Sequence, residues 1–174
     1  MQTVEEKARR VRLAIFDVDG VMTDGTLFLD DDGREIKGFN SLDGHGLKML
    51  AASGVMLAIL TGRTSRCVAH RAANLGITLV RQGVEDKLEG FAAMLSELGL
   101  DPTETAYMGD DVVDLPVLRR CGLSVAVPES HDLVRRHADY VTRAGGGRGA
   151  VREACELIMR AQGTLDARLA KYLV

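Results

Sequence analysis

The chain has 174 residues, 46% apolar and 27% charged, the make-up of an ordinary soluble domain with a sizeable core. Its net charge of −3 argues against broad nucleic-acid binding, which ordinarily shows a basic face. No apolar run is long enough to cross a bilayer, and the polar stretch Met1–Arg12 lacks the apolar segment of a signal peptide.

Met1–Arg12 reads as a short helix or arm, and Leu13–Phe16 as a buried strand. The strand runs into Asp17-Val18-Asp19-Gly20, two carboxylates one residue apart at what would be the strand's C-terminal end. That edge is where open α/β sheets bind ligands. Paired carboxylates repel unless a cation or proton offsets them, and their all-oxygen chemistry suits Mg²⁺. Taken alone, a solvated Asp-rich turn explains the same residues equally well. Thr26–Leu29 and Glu35–Phe39 flank Asp30-Asp31-Asp32-Gly33, the pattern of a hairpin closed by an Asp-Gly turn. A calcium loop fails there on spacing, because Glu35 comes too soon.

Leu42–Ser53 looks helical, with Asp43 as its N-terminal cap and Gly54 as its stop. Val55–Leu60 is a continuous apolar strand of the parallel type, ending at Thr61-Gly62-Arg63. A helix over Ser65–Leu75 and a short strand over Ile77–Val80 follow. Glu85–Leu98 carries Leu88, Phe91, Leu95 and Leu98 on one helical stripe. Thr105–Met108 is a strand ending at Gly109-Asp110-Asp111. Val113–Arg120 reads as a helix that tolerates Pro116 only in its first turn. Leu123–Val127 is a strand, Asp132–His137 a short helix and Tyr140–Thr142 an edge strand. Gly145–Gly149 reads as a flexible loop, Ala150–Ala161 as a clear helix, and Gly163–Val174 as a tail without a preferred structure. Cys67, Cys121 and Cys155 are odd in number and widely spaced, which favours reduced thiols over a disulfide or zinc site. The expectation is one α/β domain over residues 1–174, with a mostly parallel sheet, in the cytoplasm.

Asp17 and Asp19, Thr61-Gly62-Arg63, Lys87 and Gly109-Asp110-Asp111 all fall at strand ends or helix starts. Asp110 would complete an acidic pocket for a divalent cation. Thr61 offers a hydroxyl and Gly62 an N–H to an anion, and Lys87 adds a positive charge. Acidic metal ligands beside a hydroxyl, a lysine and exposed amides make a phosphoryl site. Each part alone has a duller explanation: a turn, a surface lysine, a capped loop. It is the four in this order that are specific.

In that order they resemble the haloacid dehalogenase-like phosphohydrolases: D-x-D-G after strand one, Thr-Gly after strand two, a downstream Lys, then G-D-D-x-x-D. The likeness spans about Leu13–Val127. The runs Asp17–Gly25, Gly83–Lys87, Gly146–Glu153 and Ala161–Gly163 extend it over nearly the whole chain, towards members that dephosphorylate sugar acids. The resemblance implies a capless Rossmann-like three-layer αβα sandwich with a short β-hairpin insertion in place of a cap. It implies that Asp17 is the nucleophile and Asp19 the acid and base. Mg²⁺ would be held by Asp17, the Asp19 carbonyl and Asp110. Thr61, Gly62 and Lys87 would bind the phosphoryl group, with Asp111 and Asp114 in support. Members that cleave a nine-carbon sugar-acid phosphate tend to carry Glu after Thr-Gly, and those that cleave an eight-carbon one Arg. Arg63 therefore points to an eight-carbon sugar-acid phosphate of lipopolysaccharide precursor synthesis, with Arg148 and Arg152 as further candidates to hold it. The implied assembly is a homotetramer, its hairpin and tail set over active sites. A receiver-type signalling domain is the alternative of another class. It lacks the acid two residues beyond the phosphorylated aspartate that Asp19 provides. A noncatalytic regulatory domain of the same fold is a third reading, weakened by the intact motifs.

Overall fold

Leu13–Phe16 is apolar and fully buried, the pattern of a strand covered on both faces, and it forms β1 at the middle of a sheet. The computed structural model describes residues 2–173. Five further strands join β1: β4 (Met56–Leu60), β5 (Leu79–Arg81), β6 (Thr105–Met108), β7 (Leu123–Ala126) and β8 (Tyr140–Val141). The order is β5-β4-β1-β6-β7-β8, and every pairing is parallel. A separate two-stranded antiparallel hairpin, β2 (Phe28–Leu29) and β3 (Glu35–Ile36), lies in the β1–β4 connection.

Successive side chains on each strand point to opposite faces, so each strand feeds two cores. Ala14, Phe16, Leu57, Ile59, Ala106 and Met108 pack under α1 (Val4–Arg9), α2 (Ser41–Ala52), α3 (Arg66–Leu75) and α7 (Ala150–Ala161). Leu13, Ile15, Ala58, Leu60 and Tyr107 pack under α4 (Lys87–Leu98), α5 (Leu115–Leu118) and α6 (Asp132–His137). This is the expected three-layer αβα sandwich. Each fully buried Leu or Ile contributes roughly 1.5–3 kcal/mol.

Several boundaries and caps differ from expectation. Asn40, not Asp43, caps α2, accepting from the N–H groups of Leu42 and Asp43 at 2.8 and 3.2 Å. Asp43 is buried and instead accepts from Gly149 and Arg152 N–H at 3.3 and 2.8 Å. It thereby caps α7, whose own N-cap residue, Gly149, has no side chain to offer. The expected helix Val113–Arg120 is a 3₁₀ turn, Val112–Asp114, followed by the single turn α5 with Pro116 inside it. The strand expected at Ile77–Val80 pairs at Leu79–Arg81. The tail has a helix, α8 (Leu165–Ala170), and Tyr172 beyond it reaches His45 on α2, its hydroxyl 3.1 Å from Nε2. Gly145–Gly149 is fixed against the loop after β1: Gly147 N–H donates to the Val21 carbonyl at 2.9 Å. A Cβ on Gly146 would lie 1.9 Å from the Gly20 carbonyl oxygen. Cys155 is buried, Cys67 and Cys121 are half-buried, and all three thiols are free.

Candidate active site

β1 delivers Asp17 to the C-terminal edge of the sheet, where its N–H still donates to the Met108 carbonyl on β6 at 3.0 Å. The chain then turns back on itself. The Val18 carbonyl accepts from the N–H groups of Val21, Met22 and Thr23 at 3.2, 2.9 and 3.0 Å. Gly20 sits at φ 88°, and a Cβ there would lie 2.1 Å from Asp110 Oδ2. Only glycine serves a left-handed residue pressed against a carboxylate.

β6 delivers the second acidic group. Asp114 has no exposed surface. Its Oδ1 accepts from Lys87 Nζ and from the Tyr107 hydroxyl, both at 2.6 Å. Its Oδ2 accepts from Asp110 and Asp111 N–H, both at 3.1 Å. Asp114 thus ties three elements together: the start of α4, the body of β6 and the loop that presents Asp110. Asp86 caps α4 through Leu88 and Glu89 N–H, which sets Lys87 at the helix start with its ammonium turned inward. From there Nζ lies 3.0 Å from Asp17 Oδ2.

Carboxylate oxygens of Asp17, Asp110 and Asp114 lie within 4.8 Å of one another, facing the single ammonium of Lys87. Burial pushes the Asp17 carboxyl up to about 6, opposed by Lys87 and aided by Asp114. Burial, then the charge of Asp17, pushes Asp110 up to about 7. For Lys87, burial favours the neutral form, but Asp17 and Asp114 outweigh it and hold the ammonium charged. Asp17 Oδ1 is buried and without a hydrogen-bond partner. Three clustered carboxylates with one oxygen unpartnered suit a cation. Asp114 is already fully engaged, so Asp17 and Asp110 are the carboxylates free to serve one.

A cavity of about 330 Å³ opens over these groups, lined by Asp17, Asp19, Thr61, Gly62, Arg63, Lys87, Asp110 and Asp111 among others. All the sequence-expected residues at strand ends therefore meet. Thr61 is buried, its N–H donating to the Arg81 carbonyl at 3.0 Å. Arg148 stands apart, in an adjoining cavity of about 560 Å³ with Asp24, Glu129 and Gly146, its guanidinium 3.5 Å from Asp24. Gly20, Gly25 and Asp110 also line that second cavity. Arg152 faces α2, paired with Glu156 at 2.5 Å and packed on Gly46, outside both cavities.

Three residues of the site were not singled out from the sequence. Lys37 Nζ contacts Asp19 Oδ1 and lies 3.0 Å from Glu35 Oε1. Glu35 in turn lies 3.1 Å from Arg63, whose Nε is 3.7 Å from Asp19 Oδ2. Tyr107 sits in an apolar strand and reads there as core. Glu35 and Lys37 did leave a signal: opposite charges two apart on one strand share a face.

Comparison with known proteins places these features in a family. Residues 77–151 match the family model of the haloacid dehalogenase-like hydrolases. A curated relative from Escherichia coli, 3-deoxy-D-manno-octulosonate 8-phosphate phosphatase, is 48% identical over 94% of this chain and 87% of its own. A probable phosphatase from Pseudomonas syringae superposes with TM-score 0.97 at 52% identity, covering 98% of this chain and 97% of that one. A Moraxella catarrhalis 3-deoxy-D-manno-octulosonate 8-phosphate phosphatase, solved with magnesium, phosphate and the sugar acid, gives 0.96 at 42% identity over 97% of each chain.

Proposed function

The chain belongs to the haloacid dehalogenase-like hydrolases, among the 3-deoxy-D-manno-octulosonate 8-phosphate phosphatases, and we propose that the cavity over Asp17 hydrolyses that monoester to the free sugar acid and phosphate. The observation that carries this reading is Asp17 itself. Its carboxylate lies at the cavity floor, one oxygen held by Lys87 and the other buried without a partner.

The donor set fits Mg²⁺, being all oxygen and rich in uncompensated negative charge. Asp17, Asp110 and the backbone carbonyl of Asp19 would hold the ion. Bound there, it offsets charge on the phosphoryl oxygens. The chain's own residues then divide the work. Asp17 attacks phosphorus, and the bond from phosphorus to the sugar oxygen breaks. Asp19 gives its proton to that leaving oxygen, then takes one from the water that hydrolyses the aspartyl phosphate. Lys87, the Thr61 hydroxyl and the Gly62 N–H hold the phosphoryl oxygens. Asp111 and Asp114 support this arrangement, Asp114 through Lys87 and the Asp110 loop. Arg63, half-exposed at the cavity wall, holds the substrate carboxylate, and Arg148 contributes from the adjoining cavity. Among the described residues no helix is long and apolar enough to cross a membrane, and we place the enzyme in the cytoplasm as a homotetramer.

A panel of sugar phosphates assayed with Mg²⁺ tests the function. The eight-carbon sugar-acid phosphate should give the highest kcat/KM, activity should vanish with EDTA and return with Mg²⁺, and Arg63→Glu should harm that substrate more than p-nitrophenyl phosphate. A nine-carbon sugar-acid phosphate as the preferred substrate would move the chain to the neighbouring specificity. Full activity after exhaustive chelation would remove the metal.

A further inference from the structure

We propose that Lys37, on the hairpin's second arm, is the positioning residue of Asp19. This rests on Asp19 being the acid and base of the proposed reaction. Asp19 follows the strand end by three residues and lies on a loop, so the sheet does not fix its side chain. Something else must, because proton transfer needs the carboxyl within hydrogen-bond reach of the leaving oxygen. The Lys37 side chain is 1% exposed and its ammonium touches Asp19 Oδ1. A buried ammonium is costly unless it is paired. Lys37 has two partners, Asp19 and, at 3.0 Å, Glu35 on the same arm. Glu35 also engages Arg63 at 3.1 Å, so one carboxylate braces both cations that border Asp19.

The two cations are not equivalent. Arg63 is half-exposed, 3.7 Å from Asp19 Oδ2, and free to turn to a substrate carboxylate. Lys37 has no such freedom, being enclosed by its two partners. When Arg63 leaves for substrate, Lys37 keeps one Asp19 oxygen occupied and directs the other, Oδ2, which is buried and lacks a hydrogen bond. The hairpin is therefore part of the catalytic machinery and not only a cover over it.

The test is a double-mutant cycle on kcat with Lys37→Met and Asp19→Asn. On the sugar-acid phosphate, Lys37→Met should lower kcat about 10- to 100-fold, part of the roughly 10²–10⁴ that general acid–base catalysis supplies, with KM within about threefold. In the Asp19→Asn background the same change should cost under about twofold, because Lys37 then has no carboxylate to direct. Formation of the aspartyl phosphate from p-nitrophenyl phosphate, whose leaving group needs no proton, should survive Lys37→Met. Lys37→Arg should recover part of kcat. Should Lys37→Met fail to fold, Lys37→Gln, which keeps a polar head but no charge, should show the same pattern at smaller amplitude. A rise in KM of equal size in both backgrounds would overturn the proposal and make Lys37 a substrate ligand. Equal losses of kcat in both backgrounds would overturn it as well. An Asp19→Asn enzyme with the wild-type rate would instead remove the acid–base reading beneath it.

Discussion

Asp114 uses both carboxylate oxygens within the protein, on Lys87, Tyr107 and two backbone N–H groups. Replacing it by Asn swaps an acceptor for a donor inside a fully buried network. Breaking such a buried pair costs about 3 kcal/mol or more, so Asp114→Asn should lower stability by that order in urea unfolding. Activity should fall with it, since Lys87 and the Asp110 loop lose their common anchor. Tyr107→Phe removes one hydrogen bond and should cost about 1 kcal/mol. Unchanged unfolding for Asp114→Asn would mean that the network is not coupled. Gly146→Ala is a second residue-scale case. Its new Cβ meets the Gly20 carbonyl oxygen at 1.9 Å, and overpacking of this kind costs roughly 1–3 kcal/mol. The acidic loop should shift, and Mg²⁺ titration of activity should show weaker metal use than in wild type. At this scale Asp17, Thr61, Lys87 and Asp110 were legible because each sits at or just past a strand end or at a helix start, and Asp19 because it is the second acid of D-x-D-G. Tyr107 was not, because it lies inside an apolar strand; Glu35 and Lys37 left only a same-face charge pair, and their contacts with Arg63 and Asp19 form only when the hairpin folds back over the site.

At the scale of elements, most strands and helices declared themselves through apolar runs and glycine stops. The errors came where one element borrows from another. Asp43 looked like a cap for its own helix and is the cap of α7, 109 residues away at Arg152. Asp43→Ala should therefore destabilise the α2–α7 layer by about 1–2 kcal/mol, read by thermal melting. β8 is tied in a similar way. Asp139 accepts from Ser124 N–H and hydroxyl at 3.0 and 2.9 Å and pairs with Lys7 of α1 at 2.5 Å. Burial alone would raise the Asp139 carboxyl, but Lys7 and the Ser124 donors outweigh it and hold it below the ordinary range. A lowered folded value stabilises above the unfolded carboxylate value, about 3.9, and that gain is lost as pH falls through the folded value. Asp139→Asn should thus melt lower than wild type at neutral pH, and the gap should close as pH falls below the ordinary carboxylate value. A gap independent of pH would assign the effect to packing.

For the whole molecule, the hairpin carries a run of exposed apolar side chains. Leu27, Phe28, Leu29 and Ile36 are between 45% and 65% exposed, and a lone two-stranded hairpin is marginal in water. Phe28 and Ile36 pair on one face, while Leu29 pairs with Glu35 on the face from which Glu35 and Lys37 reach towards Asp19. Association of four chains would cover these apolar side chains, and light scattering should report a homotetramer. Ile36→Glu should shift it to smaller species and reduce activity. A fully active monomer at working concentration would contradict that assembly and leave the Asp17 chemistry standing. The α/β layering was readable from strand–helix alternation alone; the apolar hairpin suggested pairing between subunits, and the number four was only what the family resemblance implied. The central claim, covalent catalysis by Asp17, is tested most directly by quenching Asp19→Asn in acid after mixing with p-nitrophenyl phosphate and Mg²⁺, then mapping the peptides by mass spectrometry. The account expects one phosphate carried on Asp17, present with Mg²⁺ and absent after chelation. Turnover with no covalent phosphate, or phosphate on any other residue, would contradict it.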